Sequence, residues 1–546
     1  MSLTPQQLSG AELIFCVEFV WGSRTHRYAT RAITLNSDDG YLDFAPTIID
    51  FDFIESADIL SVDVEANIVS MALVMQDVDL LQRWAAGDTI EGLSAEFFYV
   101  LTKYEIVQQT YEDRTILYRG QIQEPQFGDP DEIDGFVSFS IEAQPYDGNR
   151  LLMDSDKYID TRFGDRDIDT ADGKPYPIVF GIAGKDVKSS PSGSKNIFAT
   201  PAFCTEKYPG SGGHAHFMIA GHPVSATSAS IQDDKFDTDT LLIKTGNDGR
   251  GNLYSYIEAD TFDNVAIPGT GVNGTSREWW VYLTGAGLVN PYRAEALTGA
   301  GDLSRWALSK SGQLVDDDAW SNLSPLLNQY SLAGYINDPA ITAFDWLNGN
   351  VLPLLPIAIR MGANGIKPIL IEMWALTHVT AVTSISVGQD EECEQVSPVE
   401  TIRNTSDLIN ELTINFAKRG FDQSYTSQIR VTDIVNEDYD VKSDYSILSV
   451  NRYGKKPSTI STNYVYDRDT AIKIALDKVR AGCLPINQIQ IAAPVYLGWL
   501  QVGDVLDVTI ERLYLTDHKM LIVSKQWTGS NWSFKLVFEQ NPIQNQ

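Results

Sequence analysis

Residues 467–538 read DRDTAIKIALDKVRAGCLPINQIQIAAPVYLGWLQVGDVLDVTIERLYLTDHKMLIVSKQWTGSNWSFKLVF. Asp467 or Asp469 can cap a helix whose apolar face is Ala471, Ile472, Ile474, Ala475 and Val479, and Gly482 ends it. A meander follows, with strands expected at 488–492, 504–508, 519–525 and 532–538, rich in Val, Ile and aromatics. One helix set among strands predicts a mainly β chain with minor α.

The other end of the chain has the same texture. Strands are expected at 11–21, 28–35, 68–75, 96–104, 114–123 and 135–144, with a tight turn at Ser37-Asp38-Asp39-Gly40. A short helix over 77–86 is capped by Asp77, aligns Leu80, Leu81 and Trp84 on one face, and stops at Gly87. The two ends echo each other, since each runs from a helix through strands and a Gly-Asp step, Gly87-Asp88 and Gly503-Asp504. Both read as tube-like β-barrels or sandwiches with embedded short helices, at 1–153 and 406–546.

Between them the texture changes. Residues 154–187 read as a linker ending in a docking strand, because Pro175 and Pro177 enforce extended backbone before Ile178-Val179-Phe180-Gly181. Residues 188–300 are dense in Ser, Gly, Thr, Asn and Asp, and read as an inserted, peripheral β domain. Residues 301–405 read as a mixed α/β connecting domain. Trp306, Leu308, Trp320, Leu323, Leu326, Leu327, Tyr330 and Leu332 recur there at helical spacing, and a strand is expected at 369–374.

A chain of 546 residues suits several domains. It carries 73 acidic against 41 basic side chains, a formal charge of −32, which opposes phosphate neutralisation and so argues against nucleic-acid recognition. The acidic surplus fits a solubility device, and it fits equally a wall past which DNA slides without sticking. The first residues lack a basic n-region and a continuous apolar h-region, so folding in a cytoplasm is expected.

Little points to chemistry. Cys16, Cys204, Cys393 and Cys483 form no CxxC pair and read as reduced thiols. His214-Ala215-His216, with His222 nearby, could share a metal, but its Gly-rich setting reads as a solvated or inter-subunit loop. Asp316-Asp317-Asp318 could hold a cation or a sugar, though such a run more often offsets a helix dipole. Gly271-Val272-Asn273-Gly274 is a turn and no phosphate cradle, and neither a nucleophile elbow, a P-loop nor an HExxH motif is present. No catalytic, cofactor-binding or metal-binding residue is expected. Trp and Tyr side chains in 182–300 could offer a sugar-binding face, although core burial accounts for most of them.

Three stretches, in order along the chain, resemble tail-tip hub proteins of siphophages and related gene transfer agents. They are Gly40-Tyr41-Leu42-Asp43-Phe44-Ala45-Pro46, with Tyr118-Arg119-Gly120-Gln121-Ile122 and Val137-Ser138-Phe139-Ser140-Ile141; then Gly173-Lys174-Pro175-Tyr176-Pro177-Ile178-Val179-Phe180-Gly181; and the C-terminal run quoted above. The resemblance implies a homotrimeric ring at the virion tail tip, assembled in the host cytoplasm, in which two tube-like domains per subunit mimic a sixfold tube. It implies a distal tail protein above, a central tip or fibre protein below, a possible contact with the tape-measure protein, and DNA passing along the axis without specific binding. Host-surface contact would fall to the insert. Some relatives hold an iron–sulfur cluster near the C-terminus, but Cys483 is the one cysteine in that region here, so no cofactor is carried over. The alternative reading is a carbohydrate-binding or carbohydrate-acting tail protein.

Overall fold

The computed structural model describes residues 11–57, 68–104, 106–128, 136–142, 151–153, 157–163, 171–181, 199–206, 215–225, 228–231, 241–259, 279–284, 287–293, 295–312, 314–362, 364–389, 391–418 and 423–539. The alternating patterns of the first region form β1 (Glu12–Trp21), β2 (Arg24–Ala29), β3 (Ile33–Ser37), β4 (Gly40–Phe44), β5 (Ile48–Ser56), β6 (Ile68–Gln76), β7 (Ser94–Lys103), β8 (Ile106–Val107), β9 (Thr115–Phe127) and β10 (Phe136–Glu142). The stretch expected as one strand at 28–35 is two, because the chain breaks after Ala29, whose N–H donates to the Ala45 carbonyl. The sheet runs β2-β1-β7-β9-β10-β6-β5 and turns Phe15, Val17, Phe97, Ile122 and Val137 into the core. Helix α1 (Val78–Ala85) starts where the Asp77 carboxylate accepts from the Asp79 and Leu80 N–H groups, and it buries Leu80.

The docking strand expected after Pro177 is β11 (Ile178–Phe180). The insert is a closed ring of six strands, β12 (Ala199–Glu206), β13 (Ala215–Ala220), β14 (Ser228–Ile231), β15 (Leu241–Asn247), β16 (Leu253–Ala259) and β17 (Trp279–Thr284), ordered β12-β13-β16-β15-β14-β17. It packs on the linker. A Cβ at Gly221 would lie 2.4 Å from Tyr176, and the Tyr176 hydroxyl donates to Asp248 at 3.1 Å. Phe163, Tyr176, Phe203, Met218 and Tyr254 share one small core. Of the described residues flanking the ring on either side, Gly181 and Gly287 are joined, the Gly287 N–H donating to the Gly181 carbonyl at 2.9 Å.

The helical stretch gives α2 (Ala300–Lys310) and α3 (Asp317–Leu327), then β18 (Gly334–Ile336), which pairs with β11, and α4 (Ala343–Asn350). The hairpin β19 (Ile357–Gly362) and β20 (Gly365–Leu370) follows. Here the expected strand at 369–374 ends at Leu370. Met373–His378 turns as a 3-10 helix instead, with Trp374 Nε1 donating to the Glu372 carboxylate.

The rest is β21 (Thr383–Ser386), β22 (Glu394–Gln395), β23 (Glu400–Thr401), β24 (Glu411–Lys418), β25 (Tyr425–Thr432), β26 (Asp440–Lys442), α5 (Asp444–Tyr453), β27 (Pro457–Ser461), α6 (Arg468–Gly482), β28 (Ile486–Ala493), β29 (Val505–Ile510), β30 (Leu515–Trp527) and β31 (Trp532–Glu539). Strands β24 to β27 make their own four-stranded sheet, with α6 packed on β24 and β25. The others join the first sheet. Ile54, Glu55 and Ser56 of β5 pair with Gln526, Lys525 and Ser524 of β30, so the two ends of the chain share one sheet of fifteen strands. The chain is thus mostly β with minor α and several domains, as the sequence indicates.

Because the ring closes on itself and its two stems are hydrogen-bonded together, we expect that replacing residues 188–285 by a short Gly/Ser link, with Tyr176→Ser to remove the newly bared ring, leaves a folded chain. Cooperative thermal unfolding and unchanged oligomer mass would check this. Aggregation alone would count against an independent insert.

Candidate assembly interface

The residues singled out for chemistry are dispersed. His214 lies outside the described residues. His216 sits 3.3 Å from Glu258, which also pairs with Lys244, and its ring packs 4.6 Å from Tyr256. His222 does structural work, since its Nε2 accepts from the Val179 N–H at 3.0 Å and fixes the insert to β11. Burial pushes its pKa down to about 4, so it is neutral at pH 7, with the proton on Nδ1 facing the Pro223 carbonyl. It lines a cavity of about 100 Å³ with Leu152, Tyr176 and Trp306. Asp316 caps α3 and Asp317 pairs with Arg305, which is the helix-dipole reading of that acidic run. Tyr254 is buried and packs 5.4 Å from Phe163. Cys16, Cys393 and Cys483 are free and buried, while Gly271–Gly274 and the Cys204 side chain lie outside the described residues. Among the described residues no three His, Cys, Asp or Glu side chains gather as a metal site.

What the structure does bring together is two copies of one unit. In the first, β6 leads through α1 to the meander β7-β9-β10, and β10 returns to pair antiparallel with β6. In the second, β28 leads through the 3-10 turn Val495–Leu497 to the meander β29-β30-β31, and β31 returns to β28. The registers match on both sides of the bulges. Val137 faces Met75 as Trp532 faces Ala493, and Gln126 faces Ser138 as Gln526 faces Ser533. The chain does repeat, but not as the echo in the sequence pairs it: α1 corresponds to the 3-10 turn Val495–Leu497 and not to α6, and Gly503 corresponds to Gly92 and not to Gly87. The Leu93 N–H closes a turn on the Ile90 carbonyl, and the Asp504 N–H closes one on Gln501. Gly92 at φ 79° and Gly503 at φ 94° take the third turn position, which demands a left-handed residue. In both, the glycine N–H then donates to the carbonyl of the matching isoleucine, Ile122 or Ile522.

The seam between the units is aromatic and charged. Phe15 packs 5.0 Å from Trp527, and Phe53 lies 6.2 Å from Trp532. Glu55 and Arg360 form an ion pair at 4% and 2% exposure, and Arg360 also donates to the Val502 carbonyl at 2.8 Å. Lys525 donates to the Gly498 carbonyl at 2.5 Å beneath the Trp532 ring, and Lys367 donates to Gln501 at 2.6 Å. Burial pushes both lysines down to about 8. At the end of β31, burial pushes Glu539 up to about 7 against the opposing pull of Arg403 and Arg480. Its Oε1 has no hydrogen-bond partner among the described residues.

No family profile matches the chain, and no curated protein does. Solved structures align with it. The tail protein from Neisseria meningitidis MC58 is 9% identical, with 97% of each chain covered and a TM-score of 0.37. The 43 kDa tail protein of prophage MuSo2 from Shewanella oneidensis is 9% identical, over 96% of this chain and 98% of that one, at a TM-score of 0.35. A chain from the virion of a native gene transfer agent particle is 11% identical, over 68% of this chain and 86% of that one, at a TM-score of 0.40.

Glu55→Ala strands Arg360 without its counter-charge and should cost about 3–5 kcal/mol in urea unfolding. Removing Glu12 from its exposed pair with Arg31 should cost about 1 kcal/mol or less. Glu539 binds its proton more tightly when folded, so its contribution to stability is present below pH 4.5 and is lost as pH rises through about 7. Glu539→Gln should accordingly raise stability at pH 8 by about 3 kcal/mol and change little at pH 4. Equal effects at both pH values would refute that role.

Proposed function

We propose that this chain is the structural hub of a phage tail tip. Three copies form a ring that closes the tail tube, joins a distal tail ring above to a central tip or fibre below, and leaves a DNA conduit on the axis. The observation that carries this reading is the internal duplication. Two equivalent units set side by side in one continuous sheet let three chains present six copies of one unit, which is how a threefold hub meets a sixfold tube. The order of the three hub-like sequence stretches and the net charge of −32 agree with it. Like charge lets DNA pass a wall that releases no counterions.

The chain acts in this reading as a scaffold and not as an enzyme. The insert, whose stems meet at Gly181 and Gly287, stands as a side module suited to contact with the host surface.

Mass photometry of the purified chain should give a three-copy species, and averaged electron micrographs should show six lobes around a hole. In the resulting map, Asp and Glu should outnumber Lys and Arg on the axial face more strongly than on the outer face. An axial face of net positive charge would refute the conduit.

A further inference from the structure

Among the described residues, the seam inside the chain has a second half that is left open. Counting along the matched ladders, β22 and β23 of the second unit occupy the place that β5 holds in the first. Asp50 faces Val74 as Glu394 faces Ala492, and Ile54 faces Ser70 as Glu400 faces Gln488. The outer edge of β5 seats on β30, where Ile54 meets Gln526. Within one chain, β22 and β23 pair with β28, and between the two strands Val396 and Val399 are exposed, at 53% and 37%. The edge of β9 that matches the seat on β30 lies at Glu124–Gln126. Its neighbour β7 pairs no further along than Gln121, and the last backbone bond to that side is at Ile122. Beside this edge Trp84, 47% exposed, stacks 4.9 Å from Phe127, which holds the position of Trp527.

Resting on the ring reading above, we propose that the segment 394–403 of one copy seats against Gln123–Phe127 and Trp84 of the next copy, with Glu400 opposite Gln126, repeating between chains the contact that β5 makes with β30 inside one. The occupant is a second copy because this chain already holds the complementary pair of surfaces, in the geometry that its own two units use. A head-to-tail contact of this kind generates a closed ring when the rotation closes. The repeat is of register and not bond for bond, because Pro125, in the place of Lys525, has no N–H to donate and Glu124 stands at φ 49° in a bulge; the same two features leave an arbitrary strand little to gain there. Val396, Pro398 and Val399 then supply the apolar cover for Trp84 and Phe127 that Phe15 and Phe53 supply for Trp527 and Trp532.

The test pairs Glu400→Cys with Gln126→Cys in the full chain and oxidises it. Covalent dimers and trimers should form on a non-reducing gel, and neither single variant nor a control pair of Glu400→Cys with Asp39→Cys should give them. Val396→Asp with Val399→Asp, exposed positions that leave the fold intact by circular dichroism, should weaken assembly by at least about tenfold. A ring that survives the aspartates and yields no crosslink overturns this interface and leaves the hub reading standing. A chain that stays monomeric in every variant and at every concentration overturns both.

Discussion

The pairing of β5 with β30 is the constraint from which the rest of the architecture follows. Three rungs join strands from opposite ends of the chain, and around them sit Glu55, Arg360, Lys367 and Lys525, held by the carbonyls of Gly498 and Val502 and the side chain of Gln501. A buried ion pair is a weak source of net stability but a strong source of register, because each misalignment leaves a charge unpaired in a dry place. With register fixed here, Phe15 and Phe53 can pack onto Trp527 and Trp532 in one arrangement only. The connecting hairpin β19–β20 takes part as well, since it carries both Arg360 and Lys367. Three separate stretches of chain therefore become a single rigid block.

Such a block is built from contacts of very long sequence separation, and these form late because loop closure must come first. The local parts are self-sufficient enough to wait. Helix α6 has Asp467 accepting from the Thr470 N–H and buries Ile474 and Val479 against β24 and β25, and the six-stranded ring closes on itself.

The elements that the sequence made legible are those with local signatures. The caps of α1 and α6, the turn at Asp38-Asp39, the docking strand after Pro177 and the C-terminal meander all stand where the residues put them. The strand β5 was hidden for a different reason. Its alternation of Asp50 and Asp52 with Phe51 and Phe53 announces a strand, but no local feature names a partner at the far end of the chain. The duplication was half legible. A Gly-Asp step is a turn signal in either unit, yet only the hydrogen bonds to Ile122 and Ile522 show that Gly92, with no aspartate after it, is the true counterpart of Gly503. The histidines read as a solvated or inter-subunit loop, but His216 lies on β13 and His222 accepts from the Val179 N–H, and nothing in HAH or GHP announces a ring bonded to backbone.

The junction at Gly181 and Gly287 carries a consequence for how such a chain can change over generations. A module whose two stems are tied together by a backbone hydrogen bond imposes little closure strain on its host, and what a replacement must still match is the linker face of Phe163, Tyr176 and Val179. Recombination at this point can exchange one cassette for another while the interlocked ends of the chain keep their register. Lineages sharing this scaffold should therefore differ most in the stretch between those two glycines, and diversify there by replacement of whole segments more than by drift of single residues.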